Sequence, residues 1–143
     1  MATKLRQALH EIVVPTKGRG LFAVTPSLRE WLRQEAASDG LLTIFIKHTS
    51  ASLIVQENAD PSVRSDLERF LSELVPDGDP RFTHDAEGPD DMPAHVRAAL
   101  TQTQLAIPVR GGQLTLGTWQ AVYVYEHRTS PHQRALALHY FGT

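Results

Sequence analysis

The chain has 143 residues, 41% of them hydrophobic, with 14 basic and 16 acidic side chains for a formal charge of -2. That is enough to bury one core, so a single domain over residues 1–143 is expected, without the basic surface that a general nucleic-acid binder carries. The absence of cysteine rules out disulfides and thiolate metal sites, leaving His, Asp and Glu as side-chain ligands.

No apolar run approaches the roughly 20 residues of a membrane span, and the N-terminus lacks the apolar core of a signal peptide, so no membrane role and a cytoplasmic location are expected. Leu5 to Val14 alternates and reads as a strand, PTKGRG as a loop, and Leu21 to Val24 as a second short strand. A helix follows in TPSLREWLRQEAASDG, with Thr25 or Ser27 as N-cap, Glu30 closing a capping box and Gly40 as the stop.

Leu41 to His48 and Ser52 to Gln56 read as strands around a hydroxyl-rich turn. Asp60 then caps a helix with Pro61 in its first turn and an apolar stripe of Val63, Leu67, Phe70, Leu71 and Leu74, ending before Pro76. RFTHD allows a short strand, and a brief helix is expected from Pro93 to Thr101. Two further strands, Leu105 to Arg110 and Gln113 to His127, flank the hairpin signal Gly111-Gly112, and Arg134 to Phe141 supplies the last. About eight strands with three helices and no repeated βαβ unit define an α+β class with a mainly antiparallel β core.

Three loci carry polar chemistry. In KHTSASLIVQENADP, alternation puts His48 at the end of the inward row Leu42, Ile44, Ile46, followed by the hydroxyls of Thr49, Ser50 and Ser52 and then by Glu57 and Asn58 before a helix start. A satisfied core-edge histidine and an anion-binding turn both fit this pattern. THDAEGPDDMPAH gathers His84, Asp85, Glu87, Asp90, Asp91 and His95, the ligand types of a divalent-metal site, although no HExxH register is present. In LTLGTWQAVYVYEHR, Gln120 and Glu126 interrupt an apolar row, and Arg134 beyond the turn either pairs with Glu126 or meets a phosphate.

With HTSASLIVQENADPSV, EGPDDMPAH and LGTWQ together in this order, the sequence resembles the YjbQ-like, or secondary thiamine-phosphate synthase, family over essentially its whole length. The resemblance implies a jelly-roll-like β-sandwich with helices outside, assembled as a homotrimer. It also implies a transferase that joins an aminopyrimidine diphosphate to a thiazole phosphate and releases pyrophosphate, an activity that looks secondary in the family. Matching positions are His48, Thr49, Ser50, Glu57 and Asn58; Glu87, Gly88 and His95; Gly117, Thr118, Trp119 and Gln120; and Glu126 with Arg134. The chain departs where many members read Glu-x-Asp-Gly-Pro-Arg, having Glu126-His127-Arg128-Thr129-Ser130-Pro131-His132 instead.

On that basis His48, Glu57 and His95 are the expected catalytic residues. Thr49, Ser50, Asn58, Gly117, Thr118, Trp119, Gln120 and Arg134 are the substrate-binding set, and His84, Glu87 and Glu126 are the metal ligands for magnesium or zinc. A small phosphorylated metabolite is the expected partner, and no organic cofactor is expected. A trimeric phosphate- or metal-binding protein without turnover, and a hydrolase built on His48, His84, His95 and a carboxylate, are the alternatives. His48 and Glu57 are expected to line one pocket.

Overall fold

The computed structural model describes residues 3–143. Along them run β1 (Arg6–Thr16), β2 (Gly20–Ala23), α1 (Thr25–Gln34), β3 (Gly40–Ile46), β4 (Ala51–Glu57) and α2 (Pro61–Leu74). There follow α3 (Asp91–Leu100), β5 (Gln104–Arg110), β6 (Gln113–Leu114), β7 (Gln120–Glu126) and β8 (His132–Gly142). Every pairing is antiparallel. The strands form a five-stranded sheet, β1-β8-β3-β5-β6, and a three-stranded sheet, β2-β7-β4. This is the mainly antiparallel α+β class with three helices that the pattern predicts, in the two-sheet sandwich that the resemblance implies.

The period-2 rows decide where the core lies. Leu42, Ile44 and Ile46 of β3 with Leu136, Leu138 and Tyr140 of β8 meet Leu53 of β4 and Val122 and Val124 of β7, none more than 1% exposed. Leu28, Trp31 and Leu32 of α1 join the same cluster. α2 and α3 pack on the three-stranded sheet. The stripe on α2 is real but buries no residue fully, and Phe70 and Leu74 stay exposed.

Five local expectations are corrected. α1 has neither Thr25 nor Ser27 as its cap: Val24 takes that position, while the Thr25 hydroxyl accepts from Val122 N at 2.8 Å and ties the helix to β7. Glu30 bonds Arg33 instead of closing a box with Ser27. Gly40 does not stop the helix, which ends at Gln34 with Ala36 beyond it at φ 51°. Gly40 instead faces Gly142 across β3 and β8, where a Cβ on either would run into the Cα of the other.

RFTHD makes no strand, since residues 75–90 are turns and loop held by bonds such as Arg81 N to Asp79 at 2.9 Å. The long strand expected over Gln113 to His127 is broken. Gln120 N bonds Gly117 O at 3.1 Å and the Gln120 side chain accepts from Gly117 N at 2.8 Å, so this turn lifts Gly117, Thr118 and Trp119 out of the sheet. The Gly111-Gly112 hairpin forms as expected, with φ 57° and 76° at the two glycines.

Candidate metal centre

Asp91 and His95 lie one turn apart at the start of α3, where i,i+4 spacing puts both on one helix face. His84 arrives from the preceding loop, whose turn at Gly88 uses φ 108°. The result is a convergence: His84 Nε2 lies 2.7 Å and His95 Nε2 3.3 Å from the same oxygen, Asp91 Oδ2, and the three donor atoms sit within 4.8 Å of one another.

Each member is held from behind. His95 Nδ1–H donates to the Thr49 carbonyl at 2.9 Å, which orients the ring so that Nε2 faces a carboxylate oxygen. A cation bound between that nitrogen and the carboxylate would meet a donor atom from each. Tethering of the second ring nitrogen to a carbonyl is how proteins orient a metal-binding histidine. Asp91 is 2% exposed, and its other oxygen accepts from Arg128 Nη1 at 2.9 Å. Burial opposes the Asp91 charge, but the hydrogen bond from His84 and the nearby Arg128 guanidinium hold its carboxyl below the usual range.

Arg128 organises this corner. Its Nε donates to Asp90 Oδ2 and its Nη2 to the Glu87 carbonyl, both at 2.9 Å. It stands where the resemblance expects an Asp, so this chain places a cation beside two aspartates. Sequence reasoning did not single out Arg128, and its only signal was that departure from Glu-x-Asp-Gly-Pro-Arg. Asp91 stood in the acidic cluster but outside the chosen ligands. Glu87 is near, with its carboxylate 3.8 Å from His84 Nε2.

Beside the cluster, His48, Thr49 and His95 line a cavity of about 230 Å³ with Ala98, Ala99 and Thr103. His48 Nε2 accepts from Ala135 N at 2.8 Å, so the proton of this ring is on Nδ1. Burial, and then the Arg134 guanidinium, push the His48 pKa down and keep the ring neutral.

The family model for UPF0047 protein YjbQ-like matches residues 10–143. The chain belongs to this family. It is 46% identical over 141 residues to UPF0047 protein sll1880 of Synechocystis sp., covering 99% of this chain and 96% of that protein. It is 42% identical over 118 residues to UPF0047 protein YjbQ of Escherichia coli O157:H7, covering 82% and 85%. Among solved structures, hypothetical protein APE1520 from Aeropyrum pernix superposes with a TM-score of 0.86 at 31% identity, over 95% of this chain and 99% of that one.

In this YjbQ-like chain the remaining predicted residues divide between two other places. Glu126 is away from the histidine cluster: its carboxylate accepts from Arg134 Nε at 2.8 Å, from the Thr16 hydroxyl at 2.6 Å and from Arg128 N at 3.2 Å. Arg134 is therefore the partner of Glu126, and its Nη2 also donates to the Ser50 hydroxyl at 3.0 Å. Glu57, Asn58 and Gln120 lie at the far end of β4 and β7, where Glu57 pairs with Gln120 and Asn58 N donates to Trp119 O at 2.9 Å. Gly117, Thr118 and Trp119 are exposed there, Trp119 by 62%. His48 precedes β4 and Glu57 ends it, so this seven-residue strand separates them by about 20 Å. They do not line one pocket within a single chain.

A buried polar group escaped the sequence reading altogether. His127 Nε2 is 2.8 Å from Ser52 Oγ, which in turn accepts from the Thr101 hydroxyl. Burial, with the Arg97 guanidinium adding to it, drives the His127 pKa down to about 3. Among the described residues no helix is long and apolar enough to cross a membrane.

Proposed function

We propose that the protein is a cytoplasmic, divalent-metal-dependent enzyme acting on a small phosphorylated metabolite, and that its reaction is of the thiamine-phosphate synthase type. The observation that carries the reading is the convergence of His84 Nε2, His95 Nε2 and Asp91 Oδ2 beside the His48 cavity. Two imidazole nitrogens and one carboxylate oxygen suit zinc, whereas magnesium favours an all-oxygen shell with several waters. When bound, the ion supplies Lewis-acid stabilisation of the charge that develops on a departing diphosphate.

The chain's own residues do the rest. Thr49 O fixes the His95 ring, and Arg128 holds Asp91 ionised and in place. His48, with Nε2 engaged by Ala135 N, offers Nδ1–H as a donor to a phosphate oxygen. No organic cofactor enters this chemistry. The purified protein, given an aminopyrimidine diphosphate and a thiazole phosphate with zinc or magnesium, is expected to form thiamine phosphate. His48→Ala is expected to slow formation about 10- to 100-fold, the value of one hydrogen bond to a charged group. Unchanged turnover in a folded His48→Ala variant removes His48 from the reaction.

A second reading, hydrolysis of a phosphorylated compound, is favoured by one observation: three protein donors leave a position open for water. Phosphate release from either half alone, with no condensation product, selects it.

The proposal includes assembly as a homotrimer through the outer face of the five-stranded sheet. Leu9, Val13, Leu41, Phe45 and Phe141 share that face and are each between 42% and 76% exposed, an apolar surface of the kind that oligomers cover. Sedimentation is expected to give a trimer, and Leu9→Glu with Phe45→Glu a monomer. A monomeric wild type, or a trimer indifferent to both changes, rules this face out.

A further inference from the structure

A second pocket, of about 430 Å³, opens at the opposite end of the three-stranded sheet from the metal centre, between the first turns of α1 and α2. Arg29, Arg64, Asn58, Gln120 and Tyr123 supply its polar wall, and no carboxylate lines it. In a chain whose formal charge is -2, two guanidinium groups without an acidic neighbour in the wall make a local positive well.

The polar groups are also set as donors. Arg64 is positioned by bonds from Nη1 to Glu57 O at 3.2 Å and to the Tyr123 hydroxyl at 3.4 Å, over the Tyr123 ring, which leaves its Nη2 and Nε available. Gln120 spends its carbonyl oxygen on Gly117 N, so its amide N–H groups remain free to donate. Arg29 is exposed and makes no ion pair among the described residues. A fork of guanidinium donors beside amide donors is the complement of an acceptor-only oxyanion, and the volume admits a phosphorylated small molecule.

We infer that this pocket is an oxyanion site that takes the phosphate or diphosphate group of a small molecule, and that it works independently of the metal centre. Inorganic pyrophosphate and a simple phosphomonoester, glycerol 2-phosphate, are the probes, titrated by calorimetry into the purified full chain. The two probes separate a site for free inorganic anion from one for an esterified phosphate.

At least one probe is expected to bind, with affinity falling about tenfold or more in Arg29→Met and in Arg64→Met and dropping as salt is raised. Arg33→Met, which removes the same charge from the same helix but outside the pocket's polar wall, is expected to leave binding unchanged, as is His84→Ala. Arg29 is exposed, so its variant keeps the fold even if Arg64→Met does not. Absence of binding by both probes at millimolar concentration overturns the inference. So does affinity unaltered by Arg29→Met, or binding lost in His84→Ala but kept in Arg29→Met, which would assign the anion to the metal centre.

Discussion

His84→Ala is expected to abolish retention of zinc through dialysis while leaving the stability of the metal-free protein nearly unchanged. The asymmetry follows from the position of the residue. The His84 side chain is 49% exposed and meets Asp91, Glu87 and the His95 ring, so its removal creates no enclosed cavity. The site, however, loses one of three donors. Loss of a partner one shell further out already weakens metal binding roughly 10- to 100-fold, so loss of a direct ligand should exceed about 100-fold.

His95→Ala is expected to be equally damaging to metal retention, and to free the Thr49 carbonyl as well. Metal analysis of wild type and both variants after identical dialysis checks this. Equal zinc in all three would place the ion elsewhere and leave the His95–Asp91 contact a structural one.

Glu126→Ala is expected to cost about 3–5 kcal/mol of stability, the penalty for stripping a buried charge of its counter-charge. Glu126 is 0% and Arg134 3% exposed, and two of the guanidinium nitrogens of Arg134 point at the carboxylate. Removal of the acid strands that guanidinium between the sheets with only Ser50 to receive it. For a chain of this size the melting temperature should drop by about 10 °C or more. The denaturant midpoint gives the number directly, and a loss under about 1 kcal/mol would mean that water reaches Arg134.

Replacing both partners, as Glu126→Leu with Arg134→Met, is expected to recover much of the loss, because neither charge is then left buried. Acid acts on the same pair. Burial raises the Glu126 pKa, but the bonds from Arg134 and Thr16 outweigh it and hold the group below 4.5 in the fold. Its contribution is therefore present above the unfolded value and lost as pH falls through the folded one. His127 adds a loss from higher pH: in the unfolded chain it takes up a proton below about 6.5, whereas in the fold it resists protonation until about 3.

Much of the fold was legible because its signals are local. Asp60 and Pro61 started α2 as their types require, the Gly111-Gly112 turn joined β5 to β6, and the alternation Leu42, Ile44, Ile46 named the inward face of β3. Two of the failures were places where a distant partner overrode the local preference. Thr25 gave its hydroxyl to Val122 N of β7 instead of capping α1, and Gly40 was needed for Gly142, about a hundred residues away in sequence. The Gln120 side chain closed a turn that ended what read as continuous strand.

The candidate site divides along the same line. The sequence alone determined the family, the α+β class, the strand rows and the set of side chains available for chemistry, since composition, period and motif order are properties of the chain itself. Which of those side chains meet was decided by the tertiary structure. β4 runs extended between His48 and Glu57 and carries them apart, while the loop before α3 folds His84 back onto Asp91 and His95. Arg128 joins them only because β7 ends beside that helix. Strands separate neighbours in sequence by about 3.3 Å per residue and turns return them, so proximity in the chain predicts proximity in space only where the backbone reverses.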